Sequence, residues 1–168
     1  MNSKKQLQST KRLLMVFIVC LFLSGLTAIP VHSELVILEQ IFQPSTWVGF
    51  WLNKVHVAYN EVSSQYPFLF YGYDWLAFAH FILAILFIGP YRDPIRNMWV
   101  IQFGLIACVL VVPFAFVAGS LRGIPIGWIL IDCSFGVVGF IFLKAVLNKI
   151  RVLDSSIHNY SNRFAMNV

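Results

Sequence analysis

Four long apolar runs most constrain what this chain can fold into. They cover residues 13–29, 74–90, 98–119 and 126–147. A bilayer core of ~30 Å needs roughly 20 mostly apolar residues per helix. Backbone groups inside lipid must be satisfied within the protein, which favours helices. The sequence therefore predicts an all-α integral membrane bundle of four transmembrane helices, with no room in 168 residues for a soluble domain.

Composition supports this class. Charged residues make up 11% of the chain, against about 25% in soluble domains. The hydrophobic share of 59% is correspondingly high. We therefore expect residues 1–168 to form a single membrane domain whose immediate partner is the lipid bilayer.

The basic residues are distributed unevenly about the four runs. If all four span, ten basic residues lie on one side: Lys4, Lys5, Lys11, Arg12, Arg92, Arg96, Lys144, Lys149, Arg151 and Arg163. Only Lys54 and Arg122 lie on the other side. Because cytoplasmic loops carry an excess of Lys and Arg, this bias predicts a multi-pass protein with both termini in the cytoplasm. It also explains the net charge of +5 without a nucleic-acid partner.

The N-terminal 33 residues allow two interpretations. A basic start, an apolar run and the tripeptide Val31-His32-Ser33 also fit a cleaved signal peptide. We favour an uncleaved helix because the apolar run is longer than a usual signal core. If cleavage occurs, three spans remain and the C-terminus stays cytoplasmic.

Residues 30–72 form the predicted extracytoplasmic segment. Two sets of apolar residues recur there at helical spacing: Leu35, Leu38 and Phe42, then Trp47, Trp51, Val55, Ala58 and Val62. This periodicity predicts one or two amphipathic helices at the membrane–water interface, between the first and second spans. Their expected role is a structural cap, or alternatively a lid over a site.

The connector between the second and third spans is short. Gly89 and Pro90 end the second run, and we expect a tight turn to follow. Asp93 is placed to cap the third helix, with Pro94 at its first position, where the missing N–H costs nothing.

Glycines mark one face of the fourth run. Asp132, Gly136, Gly139 and Leu143 recur at spacings of four, three and four residues. Small residues on one face permit the close approach of a neighbouring helix. The pattern therefore predicts a tightly packed bundle.

Three residues share a depth in the predicted bundle. His80 and Asp132 lie ~8 Å and ~9 Å inside the outer ends of their runs, at 1.5 Å per residue. Pro113, which removes one backbone hydrogen bond and is the predicted helix break, lies ~10 Å inside the third run. A carboxylate within a span is costly, so it marks a candidate functional site.

The candidate site extends to two further charged residues. Asp74 and Arg122 lie just above His80 and Asp132 in this arrangement. The depths predict an outward-facing polar pocket built from these four residues and covered by the 34–66 segment. The alternative is structural, in which Asp132 pairs with His80 or Arg122 and fixes the helix register.

Several chemistries lack their residues. A bis-histidine haem site needs two histidines at one depth, and only His80 lies in a predicted span. No HExxH motif or phosphate-binding glycine loop is present. The three cysteines, Cys20, Cys108 and Cys133, lie within spans without a pairing pattern. We expect no metal and no cofactor, and the residues favour a non-enzymatic role.

Four short segments carry a resemblance to a known group of proteins. They are Asp74–His80 (DWLAFAH), Gly89–Asn97 (GPYRDPIRN), Arg122–Pro125 (RGIP) and Ile131–Gly136 (IDCSFG). Together they resemble a pattern in uncharacterised small bacterial inner-membrane proteins, over about residues 65–143. The resemblance implies a bacterial inner membrane and attaches no activity.

Three functions fit these observations. The first is an accessory or assembly protein that binds another membrane protein or associates with itself. The second is a protein, possibly an enzyme, that binds a small ligand or lipid in the outward-facing pocket. The third is a component of a proton-coupled carrier in which Asp132 titrates, which requires an oligomer.

Overall fold

The computed structural model describes the backbone of residues 3–165 and the side-chain environments of residues 4–156. Its helices are α1 (Ser3–Thr27), α2 (Val31–Ile41), α3 (Trp47–Gln65), a 3-10 helix (Pro67–Phe70), α4 (Tyr71–Leu86), α5 (Ile88–Arg92), α6 (Met98–Leu121) and α7 (Ile126–Ala165). The backbone over 3–165 forms no strand. The prediction of an all-α fold is therefore confirmed.

Four segments are long and apolar enough to cross a membrane. They are Lys4–Thr27, Pro67–Arg92, Met98–Leu121 and Ile126–Ser156. The predicted number of spans is confirmed, and the protein is a multi-pass membrane protein by this criterion. Large apolar side chains along these helices are exposed, as expected of surfaces that face lipid.

The helices extend further than the apolar runs that predicted them. α1 begins in the polar N-terminal segment, and α7 continues for 40 residues, or ~60 Å. The side-chain amide of Gln6 donates to the backbone oxygen of Lys149 at 3.4 Å, so the two polar extensions contact each other. Arg163, counted above with the basic residues, lies outside the described side chains.

The connector after the second span differs from its prediction. The expected tight turn is wrong, because the chain forms the short helix α5 before α6 begins at Met98. Pro94 therefore does not open the third span. A carboxylate oxygen of Asp93 accepts from the backbone N–H of Arg96 at 3.1 Å and caps an isolated turn instead.

The chain divides into two compact units. The core unit comprises Met1–Phe17 and Leu86–Val168, and the hairpin unit comprises Ile18–Ile85. Each is described separately below.

In the core unit, α6 and α7 pack closely along glycines. A Cβ built on Gly136 would lie 2.8 Å from the backbone oxygen of Cys108, and one on Gly139 would lie 2.9 Å from its sulfur. A Cβ on Gly104 would lie 2.7 Å from the Leu143 side chain. The close packing predicted from the glycine spacing is confirmed.

The buried side chains of the core unit concentrate at one end, which we call the basic end. It contains the start of α1, α5, the start of α6 and the later part of α7. Its fully buried members are Thr10, Leu14, Pro90, Val100, Ile101, Leu143, Val146 and Ile150. The ammonium group of Lys149 donates to the Ser9 hydroxyl at 3.1 Å, which adds a polar contact between α1 and α7.

In the hairpin unit, α2 and α3 form a helical hairpin. Thr46 caps α3 by accepting from the backbone N–H of Gly49 at 3.0 Å. Leu35 and Leu52 are buried, whereas Asn53 and Lys54 are exposed. The predicted amphipathic segment is thus two helices.

The same unit contains a close crossing between α1 and α4. A Cβ on Gly25 would lie 2.9 Å from both the backbone oxygen of Ala77 and the Cβ of His80. The rings of Phe22 and Phe81 lie beside this crossing, with centroids 5.1 Å apart. Gly25 therefore positions the helix face that carries His80.

Candidate functional site

The first turns of α4 carry an aromatic groove with one carboxylate. An open surface groove of about 250 Å³ is lined by Tyr71, Asp74, Trp75 and Phe78. These positions follow helical spacing, so they share one face of α4. The Trp75 ring stands edge-on to Tyr71 and to Phe78, with centroids 6.0 Å and 5.6 Å away. We call these four residues the α4 groove.

His80 lies on a different face of α4. Six residues separate it from Asp74, which rotates the two positions by about 120° around a helix of 3.6 residues per turn. His80 packs toward Gly25 of α1. Its Nδ1 lies 2.8 Å from the Leu76 oxygen, and since only a protonated nitrogen can donate there, Nε2 is left as the acceptor in the neutral ring.

Asp132 lies two turns into α7, ~9 Å from the start of the helix at Ile126. Its side chain is exposed, and the carboxylate has no hydrogen-bond partner among residues 4–17 and 86–156, the described side chains of the core unit. The neighbouring Ser134 hydroxyl donates to the Ile131 oxygen at 2.6 Å, so it does not serve Asp132. Ile131 and Phe135 beside it are exposed apolar side chains.

Packing against α6 fixes the depth of Asp132. Gly136 meets α6 at Cys108, and Gly119 meets α7 at Ile129. This register places Asp132 level with the turn of α6 that follows Pro113. The helix runs through Pro113 as one element, but its ring leaves the Val109 oxygen without the usual donor.

Arg122 ends α6 rather than entering a span. Its backbone N–H donates to the Ala118 oxygen at 3.0 Å, and its side chain is exposed. Gly123 follows with a φ of 66°, a conformation that favours glycine and turns the chain toward α7. Arg122 and Asp132 form no ion pair within the core unit, so that proposed structural pairing is absent here.

The four predicted site residues fall into two pairs. Asp74 and His80 belong to the hairpin unit, and Arg122 and Asp132 belong to the core unit. Within each unit, no hydrogen bond or salt bridge joins the two members. The joint pocket of all four stays a prediction.

A polar cluster in the helical hairpin escaped the sequence reasoning. Glu39 of α2 and His56 of α3 form a hydrogen bond, with Oε2 and Nδ1 2.7 Å apart. Asn53 donates to the other Glu39 oxygen at 3.4 Å. The His32 ring stands nearly perpendicular to that of His56, with centroids 5.4 Å apart. The available signal was Glu39 itself, a charged residue between Leu35 and Phe42 of the predicted apolar stripe.

The hydrogen bond to Glu39 identifies Nδ1 as the donor nitrogen of the His56 ring. The carboxylate accepts from Nδ1–H, which leaves Nε2 as a lone-pair acceptor in the neutral ring. That atom is buried and has no hydrogen-bond partner among the described residues. The pair therefore joins α2 to α3. A role in chemistry is not favoured, because the remaining ring nitrogen is buried away from water.

Removing the carboxylate should loosen the hairpin. We expect Glu39→Ala to destabilise the α2–α3 contact by about 1–3 kcal/mol, the cost of leaving a buried hydrogen-bonding group unpaired. Amide hydrogen exchange over residues 31–65 measures this as faster exchange. Glu61→Ala, at an exposed position of α3, is the control and should leave exchange unchanged. Equal exchange in both variants would contradict a structural role for the pair.

Metal-ligating side chains do not converge in the described part of the chain. No group of three or more His, Cys, Asp or Glu residues there could hold a metal ion. The cysteines described in α1, α6 and α7 are free.

Comparison with known proteins adds no relative. Searches against protein-family models, curated proteins and solved structures found no match to this chain. The class that the fold defines is an α-helical multi-pass membrane protein, and the functional argument rests on the residues alone.

Proposed function

We propose that this protein is a non-enzymatic accessory or assembly protein that binds another membrane protein through α7. The observation that carries the proposal is the exposed carboxylate of Asp132 on an apolar helix surface. A partner helix that covers this surface would remove the carboxylate from lipid. The bilayer, the basic bias and the resemblance support a bacterial inner membrane with both termini in the cytoplasm.

The energetic argument concerns exposure to lipid. An Asp at the centre of a spanning helix costs about 2.5–3.5 kcal/mol on insertion scales. Among the described side chains of the core unit, no donor offsets this cost for Asp132. Ile131 and Phe135 flank it with exposed apolar surface that a neighbouring helix can pack against. Association would thus add van der Waals packing between the helices and remove the unpaired carboxylate from contact with lipid.

Charge complementarity selects the kind of partner. A spanning helix that carries Lys or Arg at the depth of Asp132 would supply both the opposite charge and the missing donors. A second copy would instead bring two carboxylates together, and like charges at close range disfavour the ionised forms. The proposal therefore commits to a different membrane protein with a basic residue in its span.

The test is recovery of a partner from the native membrane. A photocrosslinking residue at Phe135, followed by purification in mild detergent, should capture one membrane protein with Lys or Arg in a span. Without crosslinking, we expect Asp132→Asn to lower its recovery about tenfold, equivalent to ~1.4 kcal/mol. Asp154→Asn, an exposed carboxylate near the other end of α7, should leave recovery unchanged.

Three results would overturn the proposal. The first is equal recovery from the Asp132→Asn variant and the unchanged protein. The second is crosslinking only between copies of this chain, which would indicate self-association. The third is the absence of any crosslinked protein at Phe135 in native membranes.

A further inference from the structure

The α4 groove has the chemistry of a cation site. Tyr71, Trp75 and Phe78 line it with aromatic rings, and Asp74 is its only charged member. The faces of aromatic rings attract an ammonium group through their quadrupole, and a carboxylate beside them adds the opposite charge. Within the hairpin unit, Asp74 forms no ion pair with a basic side chain. The groove surface itself is almost entirely apolar, and the carboxylate of Asp74 beside it supplies a negative charge without an internal partner.

The position of Asp74 along its span suits a lipid headgroup. Asp74 lies in the first turn of α4, near the start of the candidate span Pro67–Arg92. Residues 75–91, between Asp74 and Arg92, contain no Asp, Glu, Lys or Arg. We therefore expect Asp74 to lie near the boundary between the hydrocarbon core and the headgroups.

An apolar stripe continues from the groove along the same helix face. Trp75, Phe78, Ile82 and Ile85 follow one another at three- and four-residue spacing, and all are exposed. From Asp74 to Ile85 the helix rises ~16 Å, about half of the ~30 Å hydrocarbon core. A surface of that length suits one acyl chain. A free amine, which has no acyl chain, would leave this surface uncovered.

We propose that the α4 groove binds the ammonium headgroup of a phospholipid, with an acyl chain along Phe78, Ile82 and Ile85. Phosphatidylethanolamine and phosphatidylcholine both carry the required cation. Phosphatidylglycerol lacks it, and N-acylation of phosphatidylethanolamine removes it while retaining the phosphate and chains. The site is independent of the α7 surface proposed above for a partner protein.

The test is a lipid titration of the delipidated full chain, followed by native mass spectrometry. Phosphatidylethanolamine and phosphatidylcholine should bind at least tenfold more tightly than phosphatidylglycerol or N-acyl phosphatidylethanolamine. Asp74→Asn should weaken ethanolamine-lipid binding about tenfold and abolish the preference. Trp75→Leu should weaken it about threefold, as expected for loss of one cation–π contact at an exposed site.

Two matched variants control for charge and for aromatic surface. Glu61→Gln removes an exposed carboxylate of the same unit, and Trp47→Leu removes a tryptophan with 54% exposure against 55% for Trp75. Both should retain the lipid preference. Circular dichroism and gel filtration of each variant report whether it folds. If Asp74→Asn does not fold, Trp75→Leu provides an independent test of the groove.

Each other outcome decides against the proposal. Equal binding of phosphatidylglycerol and phosphatidylethanolamine would overturn the cation site. So would unchanged binding in folded Asp74→Asn, or an equal loss in Glu61→Gln. Water-soluble phosphoethanolamine that binds as tightly as the intact lipid would overturn the lipid as the occupant and indicate a free amine.

Discussion

Gly136→Ala is expected to lower the free energy of unfolding by about 1–3 kcal/mol, the usual cost of overpacking a close contact. The added methyl group would lie 2.8 Å from the backbone oxygen of Cys108, which cannot move without shifting α6. Reversible unfolding by SDS in mixed micelles measures the change. Gly136→Leu should be worse and prevent α6 and α7 from packing.

Gly72→Ala is the matched control for this prediction. Gly72 also lies in a helix, but a Cβ there meets nothing within 4 Å. The substitution should be neutral or stabilising by up to about 1 kcal/mol, since alanine favours helix more than glycine does. A loss of stability at Gly72 equal to that at Gly136 would show that backbone propensity, rather than the α6–α7 contact, controls the effect.

Ile150→Ala should destabilise the protein by about 2–5 kcal/mol, the range for deleting a large aliphatic side chain from a core. Ile150 is fully buried at the basic end of the core unit. It lies ~36 Å along α7 from Ile126, beyond a hydrocarbon core of ~30 Å. If the hydrocarbon core begins at Ile126, we expect water to surround this end of the unit, where the hydrophobic effect contributes in full.

Ile141→Ala provides the comparison within the same helix. Ile141 is 65% exposed and lies within the apolar part of α7, where lipid replaces protein contacts. Lipid tails are as apolar as the side chain, so little driving force is lost. We expect a change below about 0.5 kcal/mol in the same SDS titration, typical of exposed substitutions. Equal losses at both positions would contradict the basic end as the main stabilising core.

The spans could be predicted because each depends on local composition. An apolar run such as 98–119 needs only lipid around it, so its helix follows without knowledge of any neighbour. The close packing at Gly136 and Gly139 was predictable for a similar reason, since helical spacing alone places both on one face. The structure of the connector was not predicted correctly from the local sequence. The turn capped by Asp93 and the helix α5 depend on the neighbouring helices that they join.

The candidate sites were harder to predict from the sequence than the spans. The Glu39–His56 pair depends on the pairing of α2 with α3, which spacing along the chain does not specify. Depth along a helix placed His80 and Asp74 near each other, but rotation about the axis separates their faces. The α4 groove combines Asp74, which was predicted as part of a site, with three aromatic neighbours that the depth argument did not include.

Because α7 is long and uninterrupted, a small change in its tilt would move its far end by a large distance. From Asp132 to Ala165 the helix extends ~50 Å without interruption. A tilt change of about 10°, small against the 0–40° range of spanning helices, would move its far end by roughly 9 Å. Because α1 is hydrogen-bonded to α7 at Lys149, the start of α1 would be displaced with it. Occupation of the Asp132 surface could thus be transmitted as motion to the far side of the membrane.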